Sequence, residues 1–317
     1  MNRPRVAFMG TPEFAVPALE ALAAACDVVL VVTRPDQPRG RGQEIAPSPI
    51  GRLAERLGLP VEKHRRPADG TTLESLRERA PDLAVVVAFG SILSRELLRA
   101  PRLGCINLHG SLLPDYRGAS PVQRALWDGR LATGVTTLWM DEGIDTGDLI
   151  LQRWTPILPE DDGGSLARRL AALGAPLLVE SVRRAMRGDA PRVPQDRGAG
   201  SYARKLAKSD GVVDWSLDAE VVWNRQRAVT PWPGASTVLH GKPALLTRTW
   251  PLHRLPTGRS PGAFLGIEGD GIVVACAPGA LHVLLLKPEG RAEMNGAAWA
   301  RGARPAPGER FGVEVPA

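Results

Sequence analysis

Short continuous apolar runs alternate with helix-like stretches along the first part of the chain. Arg5–Gly10 and Val28–Val32 are two such runs, and Thr11 is predicted to be the N-cap of the helix between them. Strand, helix and strand in this order predict a βαβ unit, because parallel strands are buried on both faces and have continuous apolar sequences. The pattern therefore predicts an α/β domain with a mostly parallel, Rossmann-like sheet.

The same alternation continues as far as Met186. Further helices are predicted at 50–57, 71–79, 94–99, 121–127 and 164–186, and further strands from 61 and at 83–89, 103–108, 134–140 and 149–158. No Gly-x-Gly-x-x-Gly motif follows the first strand, so the dinucleotide-binding fingerprint is absent. We therefore expect a Rossmann-like sheet without the nicotinamide cofactor.

A different pattern follows Gly188. Residues 188–200 have the Pro, Gly and polar composition of a linker, and the basic residues Arg204, Lys205 and Lys208 come directly after it. Five short β-type segments then alternate with glycines, at 237–239, 244–250, 262–267, 271–276 and 280–286. Short strands with regular turn signals predict a small OB-like β-barrel. The predicted division is 1–189 for the α/β domain, 190–208 for a basic linker and 209–317 for the barrel domain.

Composition narrows the class of protein. The chain has 317 residues, of which 44% are hydrophobic, enough for a large core. Its three cysteines, Cys26, Cys105 and Cys276, are widely spaced and match neither a zinc site nor a disulfide framework. No early run resembles a signal peptide, and no stretch approaches the ~20 apolar residues of a membrane span. We expect a cytoplasmic, monomeric protein that binds neither a metal nor a membrane.

The net charge of +6 is unevenly distributed. Residues 1–189 carry a net charge of +1, whereas residues 190–317 carry +5. Such an excess is expected where a domain contacts a polyanion, although an Arg-rich proteome produces it as well. The long loop at 34–49 contains Arg39 and Arg41 and is a second candidate for phosphate contacts. Its alternative interpretation is a solvated surface loop.

Two polar residues interrupt the apolar strand near residue 105. Asn107 and His109 are two positions apart, so on a strand they project from the same face. A carboxamide donor beside an imidazole suits a reaction in which negative charge develops on an oxygen while a proton moves nearby. Cys105 shares their parity and is interpreted as a packing residue, since no nucleophile motif accompanies it.

An acidic segment rich in glycine follows the strand predicted at 134–140. It runs from Asp141 to Asp148 and does not match the calcium-loop pattern of ligands. Asp145 lies in this segment, at the edge of a sheet where ligands of α/β proteins tend to bind. We expect it to face His109 and complete an Asn–His–Asp group, although 36 positions separate the two residues.

Two longer stretches carry a resemblance to a known family. They read LGCINLHGSLLPDYRGASPVQRALWDG and MDEGIDTGDLI, and together with VAFMGTPEFA, KLAKSDGVVDW and TPWPG they resemble the methionyl-tRNA formyltransferase family over nearly the whole chain. The Asn-x-His…Asp group with Ser-Leu-Leu-Pro is shared by formyltransferases that use 10-formyltetrahydrofolate. The GRG…PSP loop, the second domain and the length select the enzyme of initiator tRNA.

The resemblance implies a reaction and a set of residues. The formyl group of 10-formyltetrahydrofolate would pass to the α-amino group of methionine on initiator tRNA, without a metal. Asn107 would donate to the tetrahedral oxyanion, His109 would share that role and handle the proton, and Asp145 would help to remove a proton from the amine. The residues implied for folate binding are Ser111, Leu112, Leu113, Pro114, Phe89, Gly90 and Ile92, with the main chain of 141–144.

The same resemblance implies contacts with tRNA. Arg41 would enter the acceptor stem, with Arg39 as a second basic contact, and Arg204, Lys205 and Lys208 would form a basic bridge along the tRNA. The sequence departs from the common loop of the family, because Gln43 and Glu44 replace two basic residues. Three alternatives stay open. The first is a formyltransferase for a sugar-nucleotide or other small amine, the second is a binding protein with an inactive site, and the third is a formyltetrahydrofolate hydrolase, which would use water as acceptor.

Overall fold

Two compact units make up the chain. The computed structural model describes residues 3–39, 44–65, 71–196, 198–239, 241–252 and 258–312. The first unit comprises Met1–Pro121, Ala132–Pro156 and Leu166–Arg204, and the second comprises Val122–Leu131, Ile157–Ser165 and Lys205–Ala317. Each unit is described separately below.

The helices and strands follow in chain order. The strands are β1 (Arg5–Gly10), β2 (Asp27–Thr33), β3 (Gln37–Arg39), β4 (Glu44–Ala46), β5 (Val61–Lys63), β6 (Leu83–Val87), β7 (Cys105–His109), β8 (Arg117–Gly118), β9 (Ala132–Trp139), β10 (Leu149–Pro156), β11 (Tyr202–Ala203), β12 (Ala235–Leu239), β13 (Lys242–Leu252), β14 (Phe264–Glu268), β15 (Gly271–Ala275), β16 (Ala280–Pro288) and β17 (Met294–Asn295). The α-helices are α1 (Val16–Ala25), α2 (Pro49–Arg56), α3 (Thr71–Arg79), α4 (Arg95–Arg99), α5 (Pro121–Trp127), α6 (Gly163–Arg187), α7 (Ala219–Val229) and α8 (Gly296–Ala303).

The first unit contains a seven-stranded sheet in the order β10-β9-β7-β6-β1-β2-β5. The pairs from β7 to β5 are parallel, whereas β9 and β10 pair antiparallel to their neighbours. Every residue of β6 and all but the first of β1 are buried, as their continuous apolar sequences require. The predicted α/β, mostly parallel sheet is confirmed.

The start of α1 differs from the prediction. A 3-10 turn, Glu13–Ala15, precedes the helix, and neither element has a side chain bonded at its N-cap. The N–H group of Ala15 donates instead to the main-chain oxygen of Pro12, 2.9 Å away. The main chain thus satisfies an N–H donor that an N-cap side chain would otherwise satisfy. The prediction of Thr11 as the N-cap is therefore wrong.

The segment predicted as a linker is bonded to the first unit as far as Arg204. We call residues 191–196 and 198–203 the strap. Val193 and Leu149 exchange two main-chain hydrogen bonds, of 2.8 and 3.1 Å, and β11 pairs in parallel with β8. The predicted linker at 190–208 therefore has fixed main-chain contacts with the first unit in its first part. Proline and glycine indicate that a segment lacks regular helices and strands. Such a segment can still form fixed hydrogen bonds with other parts of the chain.

The second unit contains an antiparallel sheet in the order β12-β13-β16-β15-β14, with β17 beside β16. The five predicted strands therefore exist, and closure into an OB-like barrel stays a prediction. Its core includes Trp215, Phe264, Trp299 and Phe311, with the Trp299 and Phe311 ring centroids 5.6 Å apart. Residues 122–131 and 157–165, predicted to lie in the α/β domain, belong to this unit. Within the described ranges, no helix is both long and apolar enough to cross a membrane.

Candidate functional site

Strand β7 positions the first two polar side chains. It lies between β6 and β9, and its last residue, His109, is paired with Thr136 of β9. Asn107 Nδ2 donates to Asp145 Oδ1 at 3.0 Å, and His109 Nδ1 lies 3.5 Å from Asp145 Oδ2. The three side chains predicted to converge are therefore together in the first unit. Their chemical roles remain predictions.

The carboxylate of Asp145 is held by donors from two other segments. Besides the amide of Asn107, the main-chain N–H of Gly118 donates to its Oδ2 at 2.9 Å. Gly118 has a φ of +108°, and a β-carbon there would lie 2.8 Å from both Ala203 O and the Tyr202 ring. Glycine at this position therefore lets β8 bring an N–H group to the carboxylate.

The backbone of Asp145 itself is strained. Its φ is +56°, in the left-handed region that residues with a β-carbon rarely adopt. The loop around it is braced by Asp141, whose carboxylate accepts from Thr146 Oγ1 at 2.7 Å and from the N–H of Gly143 at 3.0 Å. Such a conformation persists only where surrounding contacts determine it, which is typical of functional sites.

His109 is almost fully enclosed. Its side chain is 6% exposed, and its Nε2 lies 2.8 Å from the main-chain oxygen of Tyr116. A carbonyl oxygen only accepts, so Nε2 carries a proton and donates it. The other ring nitrogen, Nδ1, then faces the carboxylate of Asp145. In this arrangement the imidazole contacts the site through Asp145, whose side chain is 15% exposed.

Hydrogen bonds hold the loop after β7 in place. Ser111 is buried, and its hydroxyl donates to the main-chain oxygen of Asp115 at 2.6 Å. Thr136 Oγ1 donates to Ser111 O at 2.7 Å and accepts from the N–H of Leu113 at 3.1 Å. Gln152 donates to Leu113 O at 2.7 Å. The predicted Ser-Leu-Leu-Pro loop is thus held by several hydrogen bonds, with Leu112 and Pro114 half-buried.

The second predicted folate segment lies beyond β6. Phe89 is packed in the hydrophobic core, so its ring is 3% exposed, whereas the Ile92 side chain is 72% exposed. Gly90 has a φ of +74°, and its main-chain oxygen accepts from Arg34 Nη2 at 2.6 Å. The ring of Phe89 therefore supports this segment from below, and Ile92 is available to a ligand.

The predicted tRNA contacts are only partly described. Arg41 and the side chain of Arg39 lie outside the described residues. Arg204, Lys205 and Lys208 are all exposed, as a surface for phosphates requires. Whether they bind tRNA stays a prediction.

Sequence reasoning missed two residues that support the site. Arg117 Nε and Nη2 donate to Gln195 Oε1 at 3.1 and 3.0 Å, and Gln195 Nε2 donates to the main-chain oxygens of Asp145 and Gly147. Arg117 lies in one of the stretches that carry the family resemblance, and Gln195 lies in the segment predicted as a linker. A glutamine in a proline- and glycine-rich segment carries no local signal of this role.

Cys105 contributes no nucleophile. Its thiol lies 3.6 Å from the main-chain oxygen of Leu98, on the core side of the strand, and burial raises its pKa to about 12. The predicted packing role is confirmed. Among the described residues, no group of three or more His, Cys, Asp or Glu side chains is arranged to hold a metal ion.

Comparisons with known proteins cover both units. Residues 4–182 match the family model "Formyl transferase", and residues 205–304 match "Formyl transferase, C-terminal domain". The methionyl-tRNA formyltransferase of Symbiobacterium thermophilum is 46% identical over 312 residues, which covers 97% of this chain and 95% of that protein. The methionyl-tRNA formyltransferase of Thermus thermophilus is 46% identical over 308 residues, covering 97% and 99%.

Solved structures share the fold at low identity. An N-formyltransferase from Helicobacter canadensis, in complex with folinic acid and dTDP-3-aminofucose, has a TM-score of 0.66 at 18% identity, covering 91% of this chain and 100% of that one. HypX from Aquifex aeolicus, in complex with tetrahydrofolic acid, has a TM-score of 0.63 at 19% identity, covering 96% of this chain and 48% of that one. At these identities the likeness shows the fold alone.

Proposed function

Because the chain belongs to the methionyl-tRNA formyltransferase family, we propose that it transfers the formyl group of 10-formyltetrahydrofolate to the α-amino group of methionine on initiator tRNA. The observation that carries this proposal is the convergence of Asn107 and His109 on the carboxylate of Asp145. The proposed enzyme is a cytoplasmic monomer, and its formyl donor is a cosubstrate.

Asn107 is proposed to stabilise the developing oxyanion. Its amide carries two N–H bonds, of which one is used by Asp145 Oδ1. The second is available to an oxygen that becomes negative as the amine attacks the formyl carbon. A fixed donor of this kind needs no reorganisation during the reaction and lowers the barrier for that reason.

Asp145 is proposed to accept a proton from the attacking amine, directly or through a water molecule. The Gly118 N–H and the Asn107 amide hold the carboxylate in place, so a lone pair can be aimed at the acceptor. His109 Nδ1 faces the same carboxylate and, because the ring proton is on Nε2, can take up the proton that Asp145 receives. The transfer balances because the amine loses one proton and the folate nitrogen that releases the formyl group gains one.

The segments predicted for folate suit a flat, partly polar ring. The folate supplies the formyl group when it is bound. Ile92 and Ile144 are exposed apolar side chains, 72% and 44% exposed, on the two loops proposed to line the pocket. Arg95, the first residue of α4 after the loop of Ile92, forms a salt bridge of 2.5 Å with Glu142 on the loop of Ile144. With Leu112 and Pro114, these residues combine apolar contact with main-chain polar groups, as small-molecule sites generally do.

Recognition of the tRNA is assigned to basic residues. We propose that Arg39 and Arg41 contact the acceptor stem and that Arg204, Lys205 and Lys208 contact phosphates. The last three are supported by the charge of +5 on residues 190–317 and by the exposure of their side chains, and the first two by their place in the long basic loop at 34–49. The predicted 209–317 domain is proposed to share this tRNA-binding role.

One assay with three acceptors tests the proposal. The protein is mixed with 10-formyltetrahydrofolate and methionyl-initiator tRNA, with a nucleotide-sugar amine, or with neither. Formylmethionyl-tRNA should form in the first mixture only. Faster formylation of the sugar amine would support the alternative function, and formate release without any acceptor would indicate a hydrolase. No reaction in any mixture would indicate a binding protein with an inactive site.

A further inference from the structure

A single glutamine holds the main chain on both sides of Thr146. Gln195 Nε2 donates to Asp145 O at 2.9 Å and to Gly147 O at 2.8 Å, so both of its amide hydrogens are used by one short stretch of the loop. A β-carbon at Gly147 would lie 1.8 Å from the main-chain oxygen of Trp139. The loop therefore passes close to β9 where the glutamine holds it.

The orientation of that amide is set by Arg117. Two of the guanidinium nitrogens donate to Gln195 Oε1, and the carboxamide oxygen can only accept, so the amide nitrogen is turned towards the loop. The flanking residues of Arg117 also contact the site. Tyr116 accepts from His109, and Gly118 donates to Asp145. Three consecutive residues thus serve the imidazole, the glutamine and the carboxylate.

We propose that Gln195, oriented by Arg117, is a positioning residue that keeps Asp145 in its left-handed backbone conformation and so aims the carboxylate at Asn107 and His109. The inference rests on the proposed function only for its rate measurements. Asp145 has a φ of +56°, which needs external support, and its main-chain oxygen accepts from the glutamine.

The strap itself does not depend on this glutamine. Trp139 Nε1 donates to Pro191 O at 3.1 Å, the Arg192 guanidinium lies 4.2 Å from the centroid of the Trp139 ring, and Val193 is bonded to Leu149. Arg117 also donates to Asp196 O at 3.0 Å. Loss of the amide donors should therefore free the loop while the strap keeps its place.

The test uses an isosteric change at one position. Gln195→Glu keeps an oxygen for Arg117 but removes both N–H groups and places a carboxylate against two carbonyl oxygens. Asp196→Asn is the matched control. It replaces a carboxylate by an amide, the reverse of Gln195→Glu, at the next residue of the strap, which is exposed. Both variants and the parent protein are assayed at saturating concentrations of both substrates, and their melting temperatures are compared.

We expect Gln195→Glu to lower kcat by about tenfold to a hundredfold, as a misplaced catalytic group typically does, with both KM values within about twofold of the parent. In an Asp145→Asn background the same change should lower kcat little further, because the carboxylate that Gln195 positions is already lost. Asp196→Asn should match the parent. An equal loss in both backgrounds, or a kcat unchanged by Gln195→Glu, would overturn the proposal.

A second measurement requires no acceptor. The ¹⁵N resonances of the His109 imidazole should shift in Gln195→Glu and stay unchanged in Asp196→Asn, since Nδ1 faces the repositioned carboxylate. If the parent protein formylates no methionyl-tRNA, the proposed function fails, and this spectrum alone decides the positioning inference. Unchanged resonances would contradict it.

Discussion

The two units differ in how completely the protein encloses a charged side chain. In the first, the Asp145 carboxylate accepts from Asn107 and Gly118 and faces His109, but its side chain remains 15% exposed. In the second, the Arg227 guanidinium is 7% exposed, lies 3.7 Å from the centroid of the Trp223 ring and donates to main-chain oxygens of 157–165. The carboxylate keeps access to a ligand, whereas the guanidinium is enclosed by protein.

That difference supports the chemical role proposed for Asp145 and a structural role for Arg227. Burial lowers the pKa of Arg227 to about 10, which still leaves the group cationic at neutral pH. Its charge is used by carbonyl oxygens, by Asn224 Oδ1 at 2.5 Å and by an aromatic face, all within the second unit. Asp145 instead combines a strained backbone with incomplete enclosure. We therefore expect substitutions to affect rate in one place and stability in the other.

The largest effect is expected for Asp145→Asn. The variant keeps the shape of the side chain but loses the proton acceptor, so kcat should fall by about 10²- to 10⁴-fold. The melting temperature should stay close to that of the parent protein. Initial rates of formylmethionyl-tRNA formation and thermal unfolding by circular dichroism measure the two quantities. A kcat within tenfold of the parent would remove Asp145 from the mechanism.

For Arg227→Met the comparison predicts the opposite outcome. The carbonyl oxygens of 157–165 and Asn224 lose a charged donor, which should cost about 2–3 kcal/mol of unfolding free energy. Urea unfolding measures it, with Arg248→Met on the exposed side of β13 as the control. If both variants unfold alike, the guanidinium does not stabilise the second unit in the way its contacts suggest.

A smaller effect is expected for Lys208→Ala, which concerns the surface of the second unit. Removal of one phosphate contact should weaken binding of methionyl-tRNA and lower the slope of log KM against log salt by about one. The KM for folate should not change. Lys242→Ala, another exposed lysine of this unit, serves as the control. Equal changes in both variants would indicate a general effect of charge instead of a contact at Lys208.

Local patterns were sufficient to predict most of the elements. Continuous apolar sequences identified β1 and β6, and the alternation of side chains placed Asn107 and His109 on one face of β7. The cap at Thr11 was wrong because a 3-10 turn before α1 has its own main-chain bonds. The sequence pattern does not show which N–H groups at the start of a helix will already be bonded to main-chain oxygens.

The supporting contacts of the site could not be predicted in the same way. Gln195 reaches Asp145 from 50 positions along the chain, and no local periodicity relates the two. The composition of 188–200 suggested a linker, since proline and glycine disfavour regular elements, but Val193 in this segment bonds to Leu149, and β11 directly after it pairs with β8. Contacts that depend on tertiary packing leave no trace in composition.

We propose that Asn107 stabilises charge in the transition state instead of holding substrate. Single-turnover formylation by Asn107→Ala, with both substrates saturating, separates these two roles. We expect a rate lower by about 10²- to 10³-fold, with binding of methionyl-tRNA close to that of the parent. A rate equal to that of the parent protein, or a loss explained entirely by weaker tRNA binding, would contradict it.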